Sequence, residues 1–247
     1  MLKKRVIPAL LIKENLLVKT KKFKSARSIG SIIEAVKLYD LREVDELVLL
    51  DISSRKKNEP NYNTITEVSK ECFVPFCVGG GINDIKIIYN VLNSGADKVS
   101  INTQAIYNPK FINEAAKEFG SQCIVVSIDY YKQGRNFFIK NNLQKKYYLD
   151  EYVAIIEEMG AGEIILTCVD RDGTQKGFDY ETIKRIKKKI SIPIIASGGA
   201  GTYEHMLKAF KYCNADAVLA SSIFCFLDKT PKDAKIFLKK NGVNVRT

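Results

Sequence analysis

Short apolar, β-branched runs alternate along the chain with longer stretches in which apolar positions recur every three or four residues. The runs are Val6–Ile12, Glu46–Ile52, Pro75–Gly81, Lys98–Asn102, Cys123–Asp129, Glu163–Val169, Pro193–Gly199 and Ala217–Ile223. Near-continuous apolarity over so few residues fits parallel strands covered on both faces. Between them, Ser31–Tyr39, Ile85–Ser94, Pro109–Phe119, Tyr180–Ile190 and Glu204–Tyr212 read as amphipathic helices. Eight strands with helical crossovers imply a parallel barrel or a large doubly wound sheet.

An internal repeat decides for the barrel. The first four runs start at Val6, Glu46, Pro75 and Lys98, and the next four at Cys123, Glu163, Pro193 and Ala217, each about 117–119 residues after its counterpart. That shift lays Val74–Gly81 on Ile192–Gly199, and Ala96–Asn102 on Ala215–Ser221. Four strand–helix units doubled give eight, the number that closes a small barrel. The predicted fold is therefore a (β/α)8 TIM barrel of two similar four-unit halves, with residues 1–247 as a single domain of ordinary barrel size.

Composition narrows the function classes. A hydrophobic share of 46 % supports a large core, and no apolar run reaches the ~18–20 residues of a membrane span. The basic start, Met1 to Arg5, leads into about seven apolar residues that include Pro8, which reads as a first strand rather than a signal peptide. Six cysteines form no CxxC pair, and a single histidine, His205, leaves too few ligands for zinc. No metal or cofactor is expected, and the cysteines read as reduced residues of a cytoplasmic protein.

The formal charge of +11 comes from lysine clusters at Lys21-Lys22-Lys24, Lys56-Lys57, Lys145-Lys146, Lys187-Lys188-Lys189 and Lys239-Lys240. These read as solvated faces or as a positive field that draws in a phosphorylated substrate. No aromatic-interleaved basic stripe supports nucleic-acid binding, and no membrane partner is expected.

The chemistry of such a barrel lies where strands end, on its C-terminal face. Glycine clusters end the third and seventh strands, at Gly79-Gly80-Gly81 and Gly198-Gly199. Glycines there serve tight turns, or let backbone N–H groups approach an anion beside a helix N-terminus. The fourth and eighth strands end in Asn102-Thr103 and Ser221-Ser222, and Asp172-Gly173 follows the sixth. Two clusters related by the repeat imply an elongated ligand with a phosphate at each end.

Carboxylates near strand ends, Asp51, Asp129, Asp170 and Asp172, are the acid–base candidates or else loop caps. Asp129 is placed at the end of the fifth strand, and its counterpart in the first half is Leu11. At the opposite end Arg5, Glu46, Lys98 and Glu163 begin strands. Two positive and two negative charges on a barrel floor must pair or be costly to bury, as a structural plug or as a polar gate.

The chain resembles HisF, the cyclase subunit of imidazole glycerol phosphate synthase, from end to end. The resemblance rests on Arg5-Val6-Ile7-Pro8, Asp45–Val48, Gly95–Asn102, Gly162–Thr167, Asp170–Thr174, Ile195–Gly201 and Gly242–Arg246. It implies docking of a HisH-type glutaminase as a heterodimer on the floor. It also implies ammonia passage through a gate of Arg5, Glu46, Lys98 and Glu163, and reaction with a bis-phosphorylated nucleotide at the mouth. Phosphate contacts fall on Gly81, Asn102, Thr103, Asp172, Gly173, Gly198, Gly199, Ser221 and Ser222, the flexible-loop lysine on Lys19, and the catalytic carboxylate on Asp129. The family's other catalytic aspartate is replaced by Leu11, and Thr20 and Ser31 stand where glycine and aspartate are usual. A positioned acid–base group contributes ~10²–10⁴-fold to rate, so full cyclase activity is not expected. The departure opens a second expectation, an ammonia conduit working with a sugar amidotransferase in surface-polysaccharide or flagellin-sugar synthesis. A non-catalytic phosphate-binding scaffold is the third.

Overall fold

The computed structural model describes residues 3–14, 16–54, 59–141, 146–225 and 229–246. Eight parallel strands close on themselves: β1 (Arg5–Lys13), β4 (Leu47–Asp51), β5 (Phe76–Gly79), β6 (Lys98–Ile101), β7 (Ile124–Gln133), β9 (Glu163–Cys168), β10 (Ile194–Ser197) and β11 (Ala217–Ala220). Arg5 pairs with Ala217 and Ala9 with Val48, so β1 seals the ring between β11 and β4. The (β/α)8 barrel expected from the repeat is the observed architecture.

The α-helices among the described residues are α1 (Ile32–Leu41), α2 (Tyr62–Glu71), α3 (Ile85–Asn93), α4 (Thr103–Tyr107), α5 (Lys110–Phe119), α6 (Leu149–Glu158), α7 (Tyr180–Lys187), α8 (Tyr203–Cys213) and α9 (Pro231–Lys240). Local chemistry fixes their starts. Asn61, Asp84, Asp179, Thr202 and Thr230 each accept a backbone N–H of the first turn through the side chain, the usual N-cap bond. Apolar stripes such as Phe111, Ile112 and Ala115 of α5 bury against the strands.

Among the described residues two antiparallel hairpins elaborate the barrel, one in each half. β2 (Leu16–Lys21) folds back on β1 and pairs with β3 (Lys24–Ser31). β8 (Asn136–Ile139) folds back on the end of β7. This second hairpin corrects one expectation. Asp129 does not end its strand, because β7 continues to Gln133 along the ladder with β8. Asp129 instead pairs with Thr167 of β9 inside the barrel wall. Of the lysine clusters, Lys56, Lys57 and Lys145 lie outside the described residues, and no helix among those described is long and apolar enough to cross a membrane.

The core has two parts. The larger lies between the strands and the helices. The smaller fills the barrel itself: Ile7, Ala9, Val48, Cys77, Val125, Ile165, Ile195, Ala217 and Leu219, with Leu50 packed against it.

Candidate functional site

The strand alternation that fills the barrel also sets what stands at its two ends. Inward positions recur every second residue. From the floor upward, β1 presents Arg5, Ile7, Ala9 and Leu11, and β9 presents Glu163, Ile165 and Thr167. The same step runs from Glu46 through Val48 to Leu50, and from Lys98 through Ser100 to Asn102. Each series goes from charged floor through the barrel to a residue that lines one cavity at the mouth.

At the floor the four charges form a closed ring. Arg5 Nη1 lies 2.5 Å from Glu46 Oε2, and its Nη2 lies 2.9 Å from Glu163 Oε1. Lys98 Nζ bridges the same two carboxylates at 3.0 and 3.2 Å. Glu46 is 2 % exposed, so its charge depends on these partners. Burial works against both cations, but the Glu163 and Glu46 carboxylates outweigh it and raise Arg5 and Lys98 above their ordinary values. Above the ring Cys77 is fully buried. Burial, then the neighbouring Glu46, pushes its thiol well up, so it stays protonated and the lumen neutral.

At the mouth a cavity of about 630 Å³ opens over the strand ends. Leu11 and Asp129 both line it, from strands β1 and β7, which stand four places apart and therefore opposite in the closed ring. Gly81, Asn102 and Thr103 line it from the first half. Asp172, Gly173, Gly198, Gly199, Ser221 and Ser222 line it from the second. These six and three, with Asp129, are the mouth residues singled out in the sequence, and the fold brings them together. Lys19 is the exception. It lies on β2, donates Nζ to the Ser222 carbonyl oxygen at 3.3 Å and does not line the cavity.

Asn102 has a more specific environment than a phosphate donor alone. It precedes α4 without capping it, and its Nδ2 donates to Asp129 Oδ2 at 2.9 Å. Asp51 is occupied by a local turn, accepting from Ser53 N, Ser53 Oγ and Ser54 N at 2.8, 2.6 and 3.1 Å. Asp170 is directed to the Lys132 N–H at 2.9 Å and does not line the cavity. Burial pushes the Asp172 carboxyl up, while the N–H groups of Phe23, Lys22 and Gly173 and the Lys140 charge hold part of that rise back.

Close packing demands glycine at Gly80, where a Cβ would fall 2.2 Å from the Asp51 carbonyl oxygen, and at Gly199. A Cβ on Gly199, whose φ is +110°, would fall 2.2 Å from the Gly177 carbonyl oxygen. Among the lining side chains that the sequence reading missed, Ser100, Ser127, Thr167, Phe23 and Lys140 fall into two sets. The first three follow from alternation within strands. The last two come from the hairpins, whose register no period reveals. Ser100 Oγ is buried at the cavity without a hydrogen-bond partner among the described residues.

The fold and this axial layout define a class: a doubled (β/α)8 barrel with a charge-closed floor, an apolar lumen and a polar mouth. The family model described as "Histidine biosynthesis protein" matches residues 5–229. Imidazole glycerol phosphate synthase subunit HisF of Chlorobium phaeobacteroides (strain BS1) is 43 % identical over 250 residues, covering 100 % of both chains. HisF of Chlorobaculum tepidum is 42 % identical over the same span, with 100 % of both covered. A Campylobacter jejuni protein named as a candidate synthase subunit hisF2 is 42 % identical over 248 residues, covering 100 % of this chain and 99 % of its own. The chain belongs to the histidine-biosynthesis protein family and is HisF-like throughout.

Proposed function

We propose that this chain is a HisF-type synthase subunit: it receives ammonia from a HisH-type glutaminase at the floor and delivers it to a phosphorylated substrate at the mouth. The observation that carries this reading is the coaxial arrangement of the Arg5–Glu46–Lys98–Glu163 ring, the lumen and the cavity. An apolar lumen disfavours ammonium, whose charge is expensive to desolvate, and admits neutral ammonia. The glycines and hydroxyls of the two clusters hold the substrate's phosphates at either side. Asp129, oriented by Asn102, transfers the proton.

The acceptor of the family reaction is a bis-phosphorylated nucleotide, cyclised to imidazole glycerol phosphate with release of an aminoimidazole carboxamide ribotide. Leu11 favours a second reading for the acceptor. It stands on the strand opposite Asp129, in the cavity, where a second proton-transfer group would work, and leucine transfers none. In this reading the same conduit feeds a sugar amidotransferase. The discriminating experiment supplies the purified chain and a HisH-type glutaminase with glutamine and the bis-phosphorylated nucleotide. Turnover near 10 s⁻¹, about the ordinary enzyme median, supports the family reaction. Nitrogen transfer only when a sugar amidotransferase is added supports the conduit. No glutamine nitrogen in any product that requires the chain overturns both.

A further inference from the structure

The cavity is poor in positive charge for the ligand assigned to it. Three carboxylates line it, those of Asp51, Asp129 and Asp172, against a single basic side chain among the described residues, Lys140. A phosphate monoester brings about −1.5 to −2 charges at neutral pH, and backbone N–H groups supply only partial charges against it. Lys140 is positioned to supply the missing one. It directly follows β8, and its backbone N–H donates to the Asp129 carbonyl oxygen at 2.7 Å, which fixes it beside the candidate proton-transfer residue. Its ammonium stands 4.3 Å from the centroid of the Phe23 ring, at the tip of the β2–β3 hairpin. The adjoining Lys22 N–H donates to the Asp172 carbonyl oxygen at 3.2 Å, so this tip rests on the turn that carries Asp172 and Gly173. The side chain is exposed. A cation over an exposed aromatic face is held weakly, whereas a charge-assisted bond to a phosphate oxygen is stronger.

We propose that Lys140 is a substrate-binding residue, leaving the face of Phe23 to bind the phosphate held at the Asp172-Gly173 side of the cavity. The proposal rests on the reading of the cavity as a phosphate site and adds the residue that offsets its carboxylates. It also gives the β7–β8 hairpin a function: the turn of chain that carries Lys140 is placed by Asp129 itself.

The test is calorimetric titration of inorganic phosphate into the full chain at low salt, in the wild type and in Lys140→Ala, Lys140→Arg and Lys132→Ala. Lys132 removes the same charge from the same hairpin but does not line the cavity. Lys140→Ala is expected to weaken phosphate binding by about tenfold, or about 1.4 kcal/mol. Lys140→Arg should keep most of the affinity, Lys132→Ala should leave it nearly unchanged, and all melting temperatures should match. If Lys140→Ala binds as tightly as the wild type, the proposal fails while the phosphate cavity stands. If Lys132→Ala weakens binding equally, the effect is a general field and the proposal also fails. A wild-type chain that binds no phosphate overturns the proposal and the cavity reading together.

Discussion

Asn102 donates its side-chain amide to the Asp129 carboxylate at 2.9 Å, from the end of β6 to the middle of β7. The bond joins neighbouring strands at the rim of the cavity and aims the carboxylate into it. Asn102→Ala should lower kcat by about tenfold, the effect of roughly 1.4 kcal/mol. Asp129→Asn should reduce kcat by ~10²–10⁴-fold. Wild-type turnover in Asp129→Asn would remove Asp129 from the chemistry.

Leu11 faces the same cavity from the opposite strand and is only partly buried, so an introduced carboxylate there meets solvent. Leu11→Asp should therefore cost little stability, about 1 kcal/mol, and should accelerate cyclisation of the bis-phosphorylated nucleotide by ~10²-fold or more. The comparison is single-turnover kinetics with free ammonium as nitrogen source. An unchanged rate would mean that the missing aspartate is not what limits cyclisation.

The floor ring predicts a split between two nitrogen sources. Lys98→Met leaves Glu46 and Glu163 to Arg5 alone and should cost about 3 kcal/mol of stability. It should change product formation from glutamine while leaving use of free ammonium intact. Equal effects on both would make the ring a plug and nothing more.

Linkage fixes the pH range in which that ring is charged. Lys98 is raised in the folded state because Glu46 and Glu163 outweigh burial. Its stabilising contribution is thus whole below the unfolded lysine value of ~10.4 and is lost as pH rises through the higher folded one. The stability difference between wild type and Lys98→Met, from urea unfolding, should be flat from about pH 6 to about 9 and should shrink only above ~10.4. A difference that shrinks through the neutral range would contradict the paired charge.

Gly199 should tolerate no side chain. Its φ of +110° and the 2.2 Å approach to Gly177 predict a loss of roughly 2–4 kcal/mol in Gly199→Ala. Phosphate binding should fall with it. A wild-type urea midpoint would show that the turn relaxes.

Much of this layout was legible in the chain. The spacing from Val6, Glu46, Pro75 and Lys98 to Cys123, Glu163, Pro193 and Ala217 carries the eightfold barrel, because each strand–helix unit has its own period. Once Arg5, Glu46, Lys98 and Glu163 are placed at the floor, counting upward by two reaches Leu11, Leu50, Asn102 and Thr167. Ser100 and Thr167 were readable in that way and were missed. The hairpins were not readable. Lys24–Ser31 is polar and edge-like, and its pairing with β2 contains register shifts between Leu17 and Val18 and between Lys19 and Lys21. What Phe23 and Lys140 touch is decided by that register and by contact between two hairpins, which are tertiary facts. The bond from Asn102 to Asp129 is likewise a contact between strands that the sequence reading of Asn102 as a phosphate donor did not include.

Channelling through the barrel is the central claim, and isotope competition tests it most directly. The complex with a HisH-type glutaminase is given glutamine labelled with ¹⁵N in its side-chain amide, the phosphorylated acceptor, and an excess of unlabelled ammonium in the buffer. Product nitrogen carrying the glutamine label almost undiluted is the predicted result, because the ammonia passes from floor to mouth without mixing with solvent. Product label diluted to the isotope ratio of the bulk ammonium would contradict it.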